Sequence, residues 1–359
     1  MTDRRLVSLD ALRGADMLLL MGVGPLVAAL FGADSWLARQ FSHVAWNGLR
    51  VEDMIFPVFL FVAGVSFPYS CAKQLAAGRT RLQVSLRVLR RGAVLFLLGL
   101  VYDGLLQFKP AELVWGSVLG RIGIAWTLAA LAQVWLGRRA RAVLAVAILL
   151  GYWAVMRGIA APDHPTAFPL SPEGNLSGWL DRTLLPGRLT VPGLYSNQGT
   201  LSTLPAVVTA QLGMFAGDFV KSTALSGTRR TLALLAGGSA LAALGLFVAY
   251  GCGDWSFPLN KKLWSPSFVL VVGGISAVLF AAFHWLCDVR GWTSWAFPLR
   301  VVGVNSITIY LAMAIVPFGA IRDFFVAPCL GPVASALGYV AVCWLFLYFL
   351  YRQNVFLKV

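Results

Sequence analysis

The chain has 359 residues, of which 58% are apolar and only 12% are charged, with a mean hydropathy of +0.76. A soluble domain carries about a quarter charged residues, so lipid is the solvent for most of this chain. The net charge of +14 does not signal nucleic acid, because Lys and Arg fall in short clusters between apolar runs, where anionic headgroups and membrane topology account for them.

Apolar runs of about 20 residues can be placed at 11–31, 54–74, 89–106, 117–136, 140–160, 200–220, 231–250, 267–287, 301–321 and 333–351. The expected fold is an all-α polytopic membrane protein with about ten transmembrane helices. The first run is long enough to span and lacks the cleavage site of a signal peptide, so it reads as a membrane helix. Clusters at Lys73 to Arg91, Arg138 to Arg141 and Lys221 to Arg230 all lie on one side. The positive-inside rule makes that side cytoplasmic and puts both termini there. The long connection at 157–199, rich in Pro, Gly and Asn, reads as an outward-facing lobe within a single transmembrane domain covering 1–359. No internal repeat of the transporter kind is visible.

Five cysteines (Cys71, Cys252, Cys287, Cys329, Cys343) form no CxxC and pair with no histidine, so no metal site is expected. Cys252 and Cys329 both fall outside the membrane in this topology, which leaves a disulfide between them open.

His43 lies in the first outward loop, followed by Glu52 and Asp53 at the mouth of the second helix. A group titrating near neutrality beside a carboxylate suits acid/base work, although His43 and Trp46 equally suit interfacial anchoring. Asp53 enters the membrane, where a charge needs a partner. It could orient His43 by accepting from one ring nitrogen, or it could pair with Arg50 or Arg13. Asp10 and Arg13 stand three apart at a helix start, the spacing of a local ion pair. Asp16, Asp103, Arg121, Asn305 and Ser306 are polar groups near or within spans, either internal glue or cavity lining. The outward loop Asn260-Lys261-Lys262-Leu263-Trp264-Ser265 joins cations, an amide and an aromatic plane, suited to sugar or anion binding as well as to anchoring.

Several of these segments, in order, resemble the heparan-α-glucosaminide N-acetyltransferase family and its bacterial relatives. The resemblance rests on Ser8-Leu9-Asp10-Ala11-Leu12-Arg13-Gly14, His43-Val44-Ala45-Trp46-Asn47-Gly48, Asp53-Met54-Ile55-Phe56-Pro57, Leu119-Gly120-Arg121, Asn260 to Ser265 and Gly303-Val304-Asn305-Ser306. It implies an enzyme that passes acetyl from cytoplasmic acetyl-CoA across the membrane to the amino group of glucosamine or a terminal glucosaminide. His43 matches the family's catalytic histidine and Asp53 the acidic residue after it. Trp46, Asn47, Arg121, Gln198, Lys261, Trp264, Asn305 and Ser306 are the expected acceptor-site residues, with Asn47 and Asn305 candidates for oxyanion donors. Arg87, Arg90 and Arg91 are expected at the CoA phosphates. The resemblance also suggests a homodimer, and a bacterial inner membrane is the expected location. Where the family commonly has Asp-Pro-Glu-Gly, this chain reads Ser196-Asn197-Gln198-Gly199, so two carboxylates are missing. An amino-sugar transporter and a membrane O-acetyltransferase are the alternatives. The second lacks support in the sequence, because no histidine follows Arg13 up to Gly24.

Overall fold

The computed structural model describes residues 6–222, 225–326 and 331–357. In chain order its helices of eight residues or more are α1 (Val7–Phe31), α2 (Val51–Ala76), α3 (Arg81–Tyr102), α4 (Val118–Trp135), α5 (Arg138–Gly158), α6 (Leu176–Leu184), α7 (Thr203–Lys221), α8 (Gly227–Tyr250), α9 (Pro266–Val289), α10 (Phe297–Val304), α11 (Ser306–Ile315), α12 (Phe318–Phe325) and α13 (Gly331–Arg352). Among the described residues eight of these are long and apolar enough to cross a membrane, and the bent pair α10 and α11 makes a ninth. The remaining long helix, α3, has 22 residues and carries Arg81, Arg87, Arg90 and Arg91 in its first half, which shortens its apolar stretch. The expected all-α polytopic architecture is what the chain adopts.

Three spans differ from their sequence-based limits. The run at 89–106 belongs to a helix that starts at Arg81, because the Thr80 hydroxyl accepts from the Gln83 N–H and the Gln83 amide oxygen accepts from the Thr80 N–H. The run at 301–321 is broken: α10 and α11 meet at Asn305 with a bend of 69°, and α11 ends at Ile315 before Pro317. The first helix begins at Val7 and widens into a π-turn at Leu19–Val23, where Gly22 has φ 139°, a conformation that needs glycine.

Helices associate in lipid by close backbone approach at small residues. A Cβ on Gly213 of α7 would stand 2.0 Å from the Phe61 carbonyl oxygen of α2, and one on Gly303 of α10 would stand 1.8 Å from that of Asp10 on α1. These contacts leave α2 and α7 at the centre. At the periphery α5, α8 and α13 expose Val143, Leu150, Leu232, Phe247, Leu345 and Phe349, a surface that lipid tails would cover. At one end of the bundle Arg141 of α5 pairs with Asp218 of α7 at 2.9 Å, and Gln133 of α4 donates to the same carboxylate. At the other end the segment 159–202, with α6 inside it, folds over the helix ends. The Trp46 indole N–H donates to the Leu170 carbonyl at 2.9 Å and its ring packs 5.0 Å from Tyr195, which anchors this segment to the first outer loop. Cys329 lies outside the described residues, and with it the question of its pairing to Cys252.

Candidate active site

Two cavities run along the axis between α1, α2, α4 and the broken pair α10 and α11. The first, about 400 Å³, opens at the loop end, where His43, Glu52, Gln198 and Lys261 line it, and reaches inward to Asp16 and Ser306. The second, about 220 Å³, lies toward the arginine-rich end and is lined by Arg13, Arg91, Trp126 and Gly303. They share the walls formed by Phe59, Leu119, Ile122, Ser306 and Ile307, so only a layer of side chains separates them.

His43 sits in the loop before α2, its side chain 55% exposed, while Asp53 is 1% exposed. Its Nδ1 is 2.9 Å from Asp53 Oδ1. That contact favours the tautomer with the proton on Nδ1, leaving the Nε2 lone pair to accept a proton. The other carboxylate oxygen accepts the backbone N–H groups of Arg50 at 3.3 Å and Val44 at 3.4 Å. As the third residue of α2, Asp53 thus caps the helix and orients the histidine together. The alternative ion pairs do not form: the Arg50 guanidinium donates to the Ser42 hydroxyl at 2.6 Å, and Arg13 reaches Ser66 at 3.1 Å in the second cavity.

Lys261 brings its Nζ to 3.6 Å from Asp53 Oδ1 and 3.5 Å from the Glu52 carbonyl. Burial holds this ammonium below its ordinary range, while Asp53 and then Glu52 pull it back up. Lys262 donates to the Ala45 carbonyl at 2.7 Å, and burial lowers it too. A small adjoining pocket is lined by His43, Arg121, Asn197, Gln198, Lys262 and Trp264. The buried Asn197 Oδ1 has no hydrogen-bond partner there.

The remaining expected residues divide. Gln198 and Ser306 face the cavities. Arg121 is buried, its guanidinium hydrogen-bonded to the Ser202 hydroxyl and, at 3.4 Å, to the Gly199 carbonyl, with the Trp264 ring 5.0 Å below it. Trp264 donates to Thr209 at 3.0 Å. Trp46 and Asn47 join loops: Asn47 Oδ1 accepts from Asn260 at 3.1 Å, and Asn260 in turn accepts the Leu263 N–H at 2.9 Å. Asn47 and Asn305 line neither axial cavity, and both side-chain atoms of Asn305 are buried without partners at the bend. The three arginines separate: Arg91 stacks over Trp126 at 4.3 Å inside the second cavity, whereas Arg87 and Arg90 line an open groove on the outer face of α3 with Arg79.

Asp181 of α6 explains the shape of the loop at 196–200. It accepts the Thr200 N–H at 2.8 Å, the Thr200 hydroxyl at 3.0 Å and the Ser196 N–H at 3.1 Å. Burial raises its carboxyl, and these donors act in the opposite direction. Asp181 is 15 residues from Ser196, and no local pattern marks it. Glu52 and Arg13 also line the cavities without having been assigned there. Glu52 was legible as the neighbour of Asp53, but the direction of its side chain was not. Arg13 stands 3.9 Å from Asp10, as its spacing suggested, and faces the second cavity as well.

Fold and site together define a multi-pass helical membrane protein with a histidine–carboxylate pair at the mouth of one axial cavity and arginines lining a second beyond it. The chain belongs to the family described as heparan-alpha-glucosaminide N-acetyltransferase, catalytic, whose model matches residues 5–245. It is 25% identical to the heparan-alpha-glucosaminide N-acetyltransferase of Homo sapiens over 86% of this chain and 52% of that protein, and 25% identical to that of Mus musculus over 86% and 53%. The chain spans about half the length of these curated relatives.

Proposed function

We propose that this chain is a transmembrane N-acetyltransferase that takes acetyl-CoA at the Arg13 and Arg91 end and acetylates the amino group of a sugar, glucosamine or a terminal glucosaminide, at the His43 end. The observation that carries the reading is the His43–Asp53 pair at 2.9 Å on the rim of the first cavity. The clustering of Lys and Arg supports a cytoplasmic arginine end and an outward-facing histidine end.

In this reading the acceptor arrives as an ammonium and gives one proton to His43 Nε2, since only the neutral amine is nucleophilic. Its nitrogen then attacks the thioester carbonyl carbon. The C–N bond forms, the C–S bond breaks, and CoA leaves as a thiolate that takes the second proton from nitrogen. Asp53 stabilises the imidazolium and holds the ring in place. Arg13 and Arg91 supply positive charge for the anionic nucleotide end of CoA, and the apolar walls between the cavities suit the pantetheine arm.

The test is transfer of labelled acetyl from acetyl-CoA to glucosamine by purified protein in detergent, wild type beside His43→Ala. Product that depends on His43 is the expected result. Acetyl transfer undiminished in His43→Ala, or bound CoA with no product from any amino sugar, overturns the reading.

A further inference from the structure

Resting on the acetyl-transfer reading, we infer that Glu52 is the residue that recognises the acceptor's amino group, holding it as an ammonium beside His43. The two carboxylates that neighbour each other at the start of α2 have opposite fates. Asp53 is committed to His43, to two backbone N–H groups and to Lys261. Glu52 also lines the first cavity with His43 and feels the charges of His43 and Lys261, but its carboxylate has no hydrogen bond or close ion pair among the described residues; Lys261 contacts only its main-chain carbonyl. A partly buried carboxylate at a cavity mouth with no hydrogen bond of its own is available to accept one from a ligand.

A second feature of the same cavity points to a cationic ligand. Asp16, 5% exposed on α1, lines its inner part, and its Oδ2 has no partner. The cavity therefore presents a carboxyl group without a hydrogen-bonded cation at both depths; of the lysines near the mouth, Lys261 lines the same cavity but leans on Asp53, and Lys262 donates to the Ala45 carbonyl. Glu52 faces the cavity that Gln198 also lines. The competing role for Glu52 is to favour the α2 N-terminus through the helix dipole.

The experiment separates these roles by selectivity. Binding of glucosamine and of glucose, its neutral analogue, is measured on the full-length protein without acetyl-CoA, for wild type, Glu52→Gln and Glu52→Asp. Wild type is expected to prefer glucosamine by about tenfold or more below pH about 8, and to lose the preference as the amine deprotonates. In Glu52→Gln the ratio falls to about one with glucose binding unchanged, Glu52→Asp restores part of it, and in acetyl transfer the loss falls mainly on KM. A dipole role would weaken both sugars alike and leave the ratio intact, which overturns the inference, as does a wild type that shows no preference. A Glu52-dependent preference without acetyl transfer to any acceptor would remove the enzymatic reading while leaving Glu52 as the recognition residue. Acetyl transfer with unchanged KM in Glu52→Gln would do the reverse.

Discussion

Asp53 contacts His43 Nδ1 at 2.9 Å through one carboxylate oxygen while its other oxygen caps α2 through the Arg50 N–H. A single side chain thereby fixes both where the helix begins and which ring nitrogen faces the cavity. Local fold and chemistry are coupled at this residue.

Asp53→Asn keeps the shape but presents a neutral amide to the histidine and removes the charge that stabilises the imidazolium. We expect acetyl transfer to fall by roughly 10²–10⁴-fold at unchanged expression. Near-normal turnover of the purified variant would reduce Asp53 to a helix cap.

Lys261 gives a pH signature. Its folded pKa lies below the ordinary 10.5, so the unfolded chain binds the extra proton in the window between the two values. Stability therefore rises with pH through that window, because burying the charge ceases to cost. The difference in thermal midpoint between wild type and Lys261→Met should grow in favour of wild type from neutral pH toward about 10. A difference that is flat or shrinks with pH contradicts a buried, charged Lys261.

Gly199 is packed against Asp181, the residue that shapes the loop at 196–200. An added Cβ would stand 2.1 Å from Asp181 Oδ2, so Gly199→Ala must displace the loop or its carboxylate anchor. We expect a loss of roughly 1–3 kcal/mol in stability, with weaker acceptor binding and CoA binding retained. Unaltered acceptor binding and melting would show that the loop absorbs the methyl group freely.

The separation of the arginines on α3 predicts a graded effect on the donor. Arg91→Ala, which empties one wall of the second cavity, should weaken CoA binding by roughly tenfold or more. Arg87→Ala and Arg90→Ala, on the outer groove, should weaken it less. Equal losses from all three, measured by titration of CoA, would place the nucleotide on the outer groove.

Much of this molecule was readable along the chain, for reasons that are local. Twenty-residue apolar runs have one stable form in lipid, because every backbone N–H and C=O must be satisfied within the segment, so the all-helical, many-span architecture followed from hydropathy, although among the described residues eight helices and one bent pair, not ten, are long and apolar enough to span. His43 and Asp53 lie ten residues apart, close enough for one loop and one helix cap to join them. The break at Asn305 was not readable. Asn305-Ser306 is a polar step inside an apolar run that reads equally as glue within a straight helix, and the bend depends on how α10 packs against α1 through Gly303 and Asp10.

What the sequence by itself determined is the solvent of the chain, the order of its helices and the closeness of a histidine to two carboxylates, all of which depend on short stretches of chain; that Asp53 pairs with His43 and not with Arg50 or Arg13 was decided by the structure. Only the tertiary structure decided which polar groups share a cavity. Arg13 and Arg91 meet across 78 residues of chain, Lys261 reaches Asp53 from 208 residues away, and Asp181 shapes a loop it does not adjoin. Glu52 and Asp53 are neighbours in sequence, yet one points to its partners and the other to an open cavity. That difference is made by the helices packed around them, because the direction of a side chain in a bundle is set by the neighbours that exclude it elsewhere.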